Sequence, residues 1–111
     1  MNPERRHEPR VKALNLVRAA EYNHAGLSED AIGRTLDLSH DGMRLELDHC
    51  LPLRSRVWLS LGLGNRIVEL HGHVCSLRSI NQRTCEMGIE FEDQTTDDFE
   101  ALDEYLQLRA E

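Results

Sequence analysis

The clearest alternation in the sequence is in Met43-Arg44-Leu45-Glu46-Leu47-Asp48. Apolar and charged residues alternate through it, so Met43, Leu45 and Leu47 share one face and the charged residues share the other. A period of two is typical of a β-strand with one buried face and one face in water. The stretch therefore predicts a half-buried strand rather than a helix.

Similar apolar patterns occur on both sides of this stretch. The further strand candidates are Val11–Tyr22, Ala31–Leu38, Val57–Leu61, Val68–Val74 and Cys85–Phe91. Asn23–Asp30, with Gly26 and Ser28, is predicted as a loop, and Leu61–Asn65 contains glycines typical of a hairpin turn. About six short strands without a βαβ rhythm favour an antiparallel barrel.

The end of the chain has a different pattern. Thr95-Thr96-Asp97-Asp98 offers a helix N-cap and acidic residues for the first turn. Phe99, Leu102 and Leu106 follow at helical spacing and form an apolar stripe. We predict a mainly β fold, a six-stranded antiparallel β-barrel with a C-terminal α-helix, in residues 11–111. Residues 1–10 are expected to form a flexible N-terminal arm.

Charge is distributed unevenly along the 111 residues. The net charge is −7, yet residues 1–20 carry five basic and two acidic side chains, whereas residues 86–111 carry ten acids and one arginine. An acidic body disfavours DNA or RNA as a partner, and an aromatic content of 5% leaves little to stack on bases. No signal peptide or membrane-spanning stretch is visible, so we expect a cytoplasmic protein without membrane insertion.

The three cysteines, Cys50, Cys75 and Cys85, cannot all pair within one chain. With no export signal they are expected to be reduced thiols. Cys75 and Cys85 fall in strand patterns, where a thiol usually acts as a small buried hydrophobe.

Two segments carry the chemistry. Arg5-Arg6-His7-Glu8-Pro9-Arg10 provides guanidinium groups, which grip phosphate oxygens or the edge of guanine. Asp37-Leu38-Ser39-His40-Asp41-Gly42 lies between two strands. The Asp37 carboxylate can accept the two adjacent donors of guanine, Ser39 adds a hydroxyl group, and Gly42 permits a positive φ or close approach of a flat ligand. Together they predict a site for a molecule with both guanine and phosphate.

The arm is not expected to bind by itself. Three arginines contribute about 4.5–9 kcal/mol gross through charge-assisted hydrogen bonds. Ordering the arm costs about 1–2 kcal/mol per residue, which removes most of this gain. The arm therefore needs a preformed surface, and the Asp37–Gly42 loop is the candidate.

These motifs resemble those of the PilZ domain family of cyclic di-GMP receptors. The resemblance extends over nearly the whole chain, through Arg5-Arg6-x-x-x-Arg10, Asp37-x-Ser39-x-x-Gly42 and Gly88-x-x-Phe91. It implies a β-barrel that binds the bacterial second messenger cyclic di-GMP and needs no cofactor. The arginines would contact phosphates and guanines, and Asp37 and Ser39 would contact guanine. Arg5 would be a solvated charge or would contact a second, stacked ligand molecule.

Several alternatives remain open from the sequence. Asp-x-Ser between strands is often only a turn that bonds its own backbone. His71 and His73 share a strand face, but no ligand spacing supports a metal site, and solvent-facing histidines are favoured. No nucleophile elbow, Walker loop or carboxylate pair indicates an enzyme. The rivals to the receptor are a nucleic-acid-binding barrel and a PilZ-like interaction module without a ligand.

The expected mechanism is closure of the arm. Arg6 and Arg10 would close over the dinucleotide and change the surface presented to a protein partner, which the sequence does not identify. A ligand shifts such an equilibrium only through its differential contacts with the closed state.

Overall fold

The computed structural model describes residues 15–23, 25–28, 30–92 and 94–109. The strands are β1 (Leu16–Asn23), β2 (Gly26–Leu27), β3 (Ala31–Leu38), β4 (Gly42–Leu47), β5 (Arg56–Leu63), β6 (Arg66–Asn81) and β7 (Thr84–Glu92), and they are followed by the helix α1 (Thr96–Arg109). Each predicted strand is present, with β6 extending further than its pattern indicated, and β1 covers the described part of the candidate Val11–Tyr22. The division into an arm of residues 1–10 and a domain of residues 11–111 stays a prediction, because residues 1–14 lie outside the described part.

Six strands close into an antiparallel barrel in the order β1-β3-β4-β7-β6-β5, and β5 pairs back with β1. The predicted barrel with a C-terminal helix is therefore confirmed. The loop expected over Asn23–Asp30 is different, because β2 pairs with the end of β1 as a short hairpin extension. Gly26 has a φ of 109°, which glycine adopts without the steric cost of a side chain. The turn predicted between β5 and β6 is present, with Gly64 at a φ of 63°.

The barrel is filled by the apolar face of each strand. Met43, Leu45 and Leu47 are buried, as their alternation predicted, and so are the inward residues of β5, β6 and β7. The helix adds Leu102 and Leu106, which are fully buried in the same core. Among the described residues, α1 is too short and too polar to cross a membrane.

The start of α1 follows the predicted capping pattern with one difference. The Thr95 hydroxyl oxygen accepts a hydrogen bond from the Asp98 backbone N–H at 3.1 Å. Phe99, however, stays 43% exposed and lies against the His40 ring with centroids 5.7 Å apart. Ala101 takes the expected place of Phe99 in the core, so the buried stripe is Ala101, Leu102 and Leu106.

The prediction of three reduced cysteines is wrong in the structure. Cys50 and Cys85 form a disulfide, with Cα atoms 5.2 Å apart, and Cys75 is exposed rather than buried. Leu47 at the end of β4 pairs with Cys85 on β7, and the chain that follows β4 brings Cys50 back over it. An odd number of cysteines excludes complete pairing but not one bridge, and only the tertiary contact identifies the pair.

Candidate ligand-binding site

The loop from Asp37 to Gly42 joins β3 to β4 on the barrel wall. Asp37 lies on β3, one residue before the strand ends, Ser39 follows the strand, and Gly42 begins β4. The other predicted ligand residues, Arg5, Arg6 and Arg10, lie outside the described residues. The meeting of the arginine arm with this loop therefore stays a prediction.

Ser39 is part of the turn itself. Its side chain is buried, its hydroxyl group donates to the Gly42 carbonyl oxygen at 3.2 Å, and the Asp41 N–H donates to the hydroxyl oxygen at 3.3 Å. The Ser39 N–H also donates to the Gly42 carbonyl oxygen at 2.9 Å. Ser39 thus has the structural role that is common for serine in turns, and a direct contact with a ligand stays a prediction.

Gly42 is required by strand packing. A Cβ atom at this position would collide with the backbone carbonyl oxygen of Ile89 on β7. The φ of Gly42 is not in the left-handed region, so the first predicted reason for a glycine does not apply, and close approach of a flat ligand stays a prediction. The backbone that approaches Gly42 closely is that of the neighbouring strand.

Asp37 points to the outer wall and pairs with an arginine. Its carboxylate oxygen Oδ2 accepts a hydrogen bond from Arg44 Nη1 at 3.3 Å. The Asp37 side chain is 13% exposed and the Arg44 side chain 49%. Arg44 Nη2 also donates to Glu86 Oε1 on β7 at 3.1 Å, and Arg78 on β6 reaches the same oxygen atom at 3.3 Å. One arginine therefore joins the carboxylates of two strands.

The strand register arranges these side chains in two adjacent rows across β3, β4, β7 and β6. The motif row is Asp37, Arg44, Gly88 and Ser76. The charged row is Arg34, Glu46, Glu86 and Arg78. The ladder is irregular between Thr35 and Asp37 on β3 and between Val74 and Ser76 on β6. Such irregularities change the direction of side chains along a strand, and both occur beside the motif row.

Gly88 leaves a gap in the motif row. A cleft of about 340 Å³ is lined by Arg44, Ser76, Arg78, Glu86 and Gly88 together with Leu77 and Met87. A neighbouring cleft of about 430 Å³ extends past Gly42 to Glu90 and shares Arg44, Ser76 and Gly88. A Cβ atom on Gly88 would lie 2.6 Å from Ser76 Oγ. The row that begins at Asp37 therefore continues into an open, polar surface.

A larger cleft of about 690 Å³ is lined by residues of β1, β3 and the chain that follows β4. It contains Glu21, Asp30 and Asp48, so its charge is unsuitable for a phosphate group. Arg18 donates a hydrogen bond to the Asp30 carboxylate and lowers the pKa of Asp30. The cleft over Gly88, which contains both Arg44 and Arg78, is more suitable for a phosphate group than this acidic cleft.

His71 and His73 lie on the outer face of β6, as predicted, but both are half-buried. His73 pairs with Glu90 and Glu92, at 3.4 and 3.2 Å, and the His71 ring stacks on Tyr22 with centroids 6.0 Å apart. In the part of the chain that the structure describes, no cluster of three metal-ligating side chains occurs. The pairing and stacking account for both histidines.

Sequence reasoning missed Arg44, Ser76, Arg78 and Glu86 as members of the site. The alternation of β4 placed Arg44 on the outer face, but nothing local linked it to Asp37 or to Glu86, which is 42 residues away. The glycine at position 88 was the available signal, because a glycine inside a strand often marks a close approach or an irregularity.

Solved structures with the same fold include several proteins of low sequence identity. The inhibitor of motility MotI/DgrA of Bacillus subtilis is 19% identical with a TM-score of 0.74, over 95% of this chain and 50% of that one. This chain thus spans half the length of MotI/DgrA. The PilZ domain of YcgR from Escherichia coli, solved with c-di-GMP, is 16% identical with a TM-score of 0.70, over 95% of this chain and 91% of that one. The PilZ domain of CeSA from a cellulose-synthesizing bacterium is 17% identical with a TM-score of 0.63, over 89% and 95% of the two chains.

A search of curated proteins found no match to this sequence. The sequence model of the PilZ domain, in contrast, matches residues 4–108, a range that includes the arginine motif, the Asp37–Gly42 loop and most of α1. With the barrel, its terminal helix and the loop in the expected places, the chain belongs to the PilZ domain family.

Proposed function

We propose that this protein is a receptor that binds cyclic di-GMP on the outer wall of its barrel, without turning it over. The observation that carries the proposal is the Asp37 carboxylate of a PilZ domain, which is only 13% exposed and pairs with Arg44, a residue that lines the cleft over Gly88. An ionised carboxylate only accepts hydrogen bonds, and guanine offers it the N1–H and the exocyclic amine side by side. The PilZ domain of YcgR, solved with c-di-GMP, supports this ligand.

The arginine motif supplies the second half of the proposed site. Arg6 and Arg10, with Arg5 beside them, would bind the phosphates and guanines while the motif row receives one base. Closure of residues 1–10 over the dinucleotide then changes the surface that a downstream protein partner contacts. Because the ligand is a bacterial second messenger, the proposal keeps the receptor in the cytoplasm.

Isothermal titration calorimetry with cyclic di-GMP tests this function. We expect Arg10→Ala and Asp37→Ala each to weaken binding by at least about tenfold, because each removes a charge-assisted hydrogen bond. Asp37→Ala should also lose the preference over cyclic di-AMP. Arg34→Ala is the matched control, since Arg34 is an exposed arginine paired with Glu46 at 3.1 Å in the charged row. Near-wild-type affinity in both site variants would reject the assignment.

A ligand-independent interaction module is the second candidate. It is favoured by the structural roles of Ser39 and Gly42, which a PilZ barrel needs whether or not it binds a ligand. The same titration separates the two, because a module of this kind releases no binding heat with cyclic di-GMP at millimolar concentration. Recovery of intact dinucleotide after incubation with the protein would exclude an enzyme.

A further inference from the structure

We propose that Arg44 is a positioning residue, which holds the Asp37 carboxylate in the orientation that selects guanine. The inference rests on the proposed function, because it concerns how the same site distinguishes one base from another. It assigns a role to a side chain of β4 that lies outside both sequence motifs, two residues after Gly42.

The geometry places Arg44 between two carboxylates on different strands. Asp37 on β3 and Arg44 on β4 are direct cross-strand partners, and the side chains meet at 3.3 Å. On the other side, Arg44 reaches diagonally to Glu86 on β7 at 3.1 Å. A long side chain anchored at both ends of its guanidinium group loses most of its rotamer freedom, so its position is set before a ligand arrives.

Glu86 is itself held from the far side. Arg78 on β6 donates to the same Glu86 oxygen atom at 3.3 Å, and the Glu86 side chain is only 19% exposed. The chain of contacts from Arg78 through Glu86 and Arg44 therefore ends at Asp37. It spans the four adjacent strands β6, β7, β4 and β3.

The orientation of Asp37 matters most for guanine. Recognition of the N1–H and the exocyclic amine together needs both carboxylate oxygens in the plane of the base, whereas one bond can tolerate rotation. Arg44 contacts one oxygen atom from the neighbouring strand and so restricts the rotation of the carboxylate. A site arranged for paired donors rejects bases that lack them, because its polar groups are then left unmatched.

The charged row provides an internal comparison for Arg44. Arg34 and Glu46 form a pair on the same two strands at 3.1 Å, with side chains 56% and 23% exposed. That pair resembles the Asp37–Arg44 pair in residue types, strands and exposure, but it does not include the motif carboxylate. An effect of Arg44 that Arg34 does not share cannot come from a general loss of a surface ion pair.

A double-mutant cycle tests the inference with the full chain. Affinities for cyclic di-GMP and for cyclic di-inosine monophosphate, which lacks the exocyclic amine, are measured by calorimetry for wild type, Arg44→Ala, Asp37→Ala and the double variant. We expect Arg44→Ala to weaken cyclic di-GMP binding about tenfold, close to the value of one hydrogen bond, and to change inosine-ligand binding by less than about threefold. In the Asp37→Ala background the Arg44 substitution should have no further effect.

Two further variants keep the test decisive. Glu86→Gln removes the second anchor while leaving Arg44 in place, so it should weaken cyclic di-GMP binding in the same ligand-dependent way but by less than Arg44→Ala. Arg34→Ala should leave both affinities within about twofold, as expected for an exposed ion pair. Equal losses for the two ligands, or an unchanged effect of Arg44→Ala when Asp37 is absent, would overturn the inference. Absence of cyclic di-GMP binding in wild type would instead overturn the proposed function.

Discussion

The motif row and the charged row cross the same four strands, one step apart, and differ in how far their side chains fill the barrel wall. In the charged row, long side chains from every strand meet and fill the wall with ion pairs. In the motif row, Gly88 replaces a side chain, and the two rows share a cleft at that point. The difference does not lie in charge, because both rows contain arginine and carboxylate. It lies in the volume that Gly88 leaves open and in two ladder irregularities, where the strand pairing skips Leu36 on β3 and Cys75 on β6.

This comparison separates two meanings of glycine on one surface. Gly42 is closed in by the backbone of β7, whereas Gly88 faces the side chain of Ser76 and the open cleft. We infer that the first is required for folding and the second for access of a ligand.

The largest expected effect is that of Gly42→Ala on stability. Its Cβ atom would meet the Ile89 carbonyl oxygen, and backbone on both sides must move to admit it. We expect a loss of about 3 kcal/mol or more in the free energy of unfolding, at the upper end for overpacking. Chemical denaturation measures it, with Gly62→Ala as control, because the nearest atom there is 3.7 Å away. Equal stability of the two variants would contradict the structural role of Gly42.

The next effect concerns the disulfide beside the charged row. Cys85 directly precedes Glu86, and its bridge to Cys50 closes a loop with a sequence separation of 35. Cys50→Ser should lower the free energy of unfolding by about 2–4 kcal/mol, since the unfolded chain is no longer constrained, and should leave cyclic di-GMP affinity unchanged. Cys75→Ser is the control, because Cys75 is exposed and unbridged. If Cys50→Ser and Cys75→Ser have the same denaturation midpoint as wild type, the bridge does not contribute in solution.

The smallest effect in free energy is that of Gly88→Val, and it should appear in binding. A valine side chain would extend into the cleft from the middle of the motif row and displace Ser76 Oγ, which lies 2.6 Å from the new Cβ atom. We expect cyclic di-GMP affinity to fall about tenfold, or about 1.4 kcal/mol, with the fold retained. Calorimetry measures the affinity, and circular dichroism checks the fold. A variant that binds as wild type would place the ligand elsewhere on the barrel.

The strands were predictable because each has one face in the core and one in water. Met43, Leu45 and Leu47 show how alternation alone identifies the buried face. Phe99 shows the limit of this kind of prediction. Its spacing fits the apolar stripe of α1, but Ala101 is buried against the barrel and Phe99 is exposed. Helical spacing defines a broad sector, and only contact with the barrel decides which residues of that sector are covered.

The site was predictable only in its local part. Asp37 and Gly42 were found because they belong to one short motif, although the reason for Gly42 is a neighbouring strand. Arg44 and Glu86 could not be assigned, because their connection passes through strand register rather than sequence distance. The disulfide between Cys50 and Cys85 was not predicted for the same reason.

The amino-acid sequence alone determined the short amphipathic strands, the capped terminal helix and the polar loop that carries Asp37. Hydrophobic period, helix capping and turn chemistry each act over only a few residues. Which strands lie side by side was decided by barrel closure, which couples β1 to β5 and sets every register at once. That closure brings Arg44 between Asp37 and Glu86, opens the cleft over Gly88 and joins Cys50 to Cys85. These contacts depend on distances between strands, which no local pattern of residues encodes.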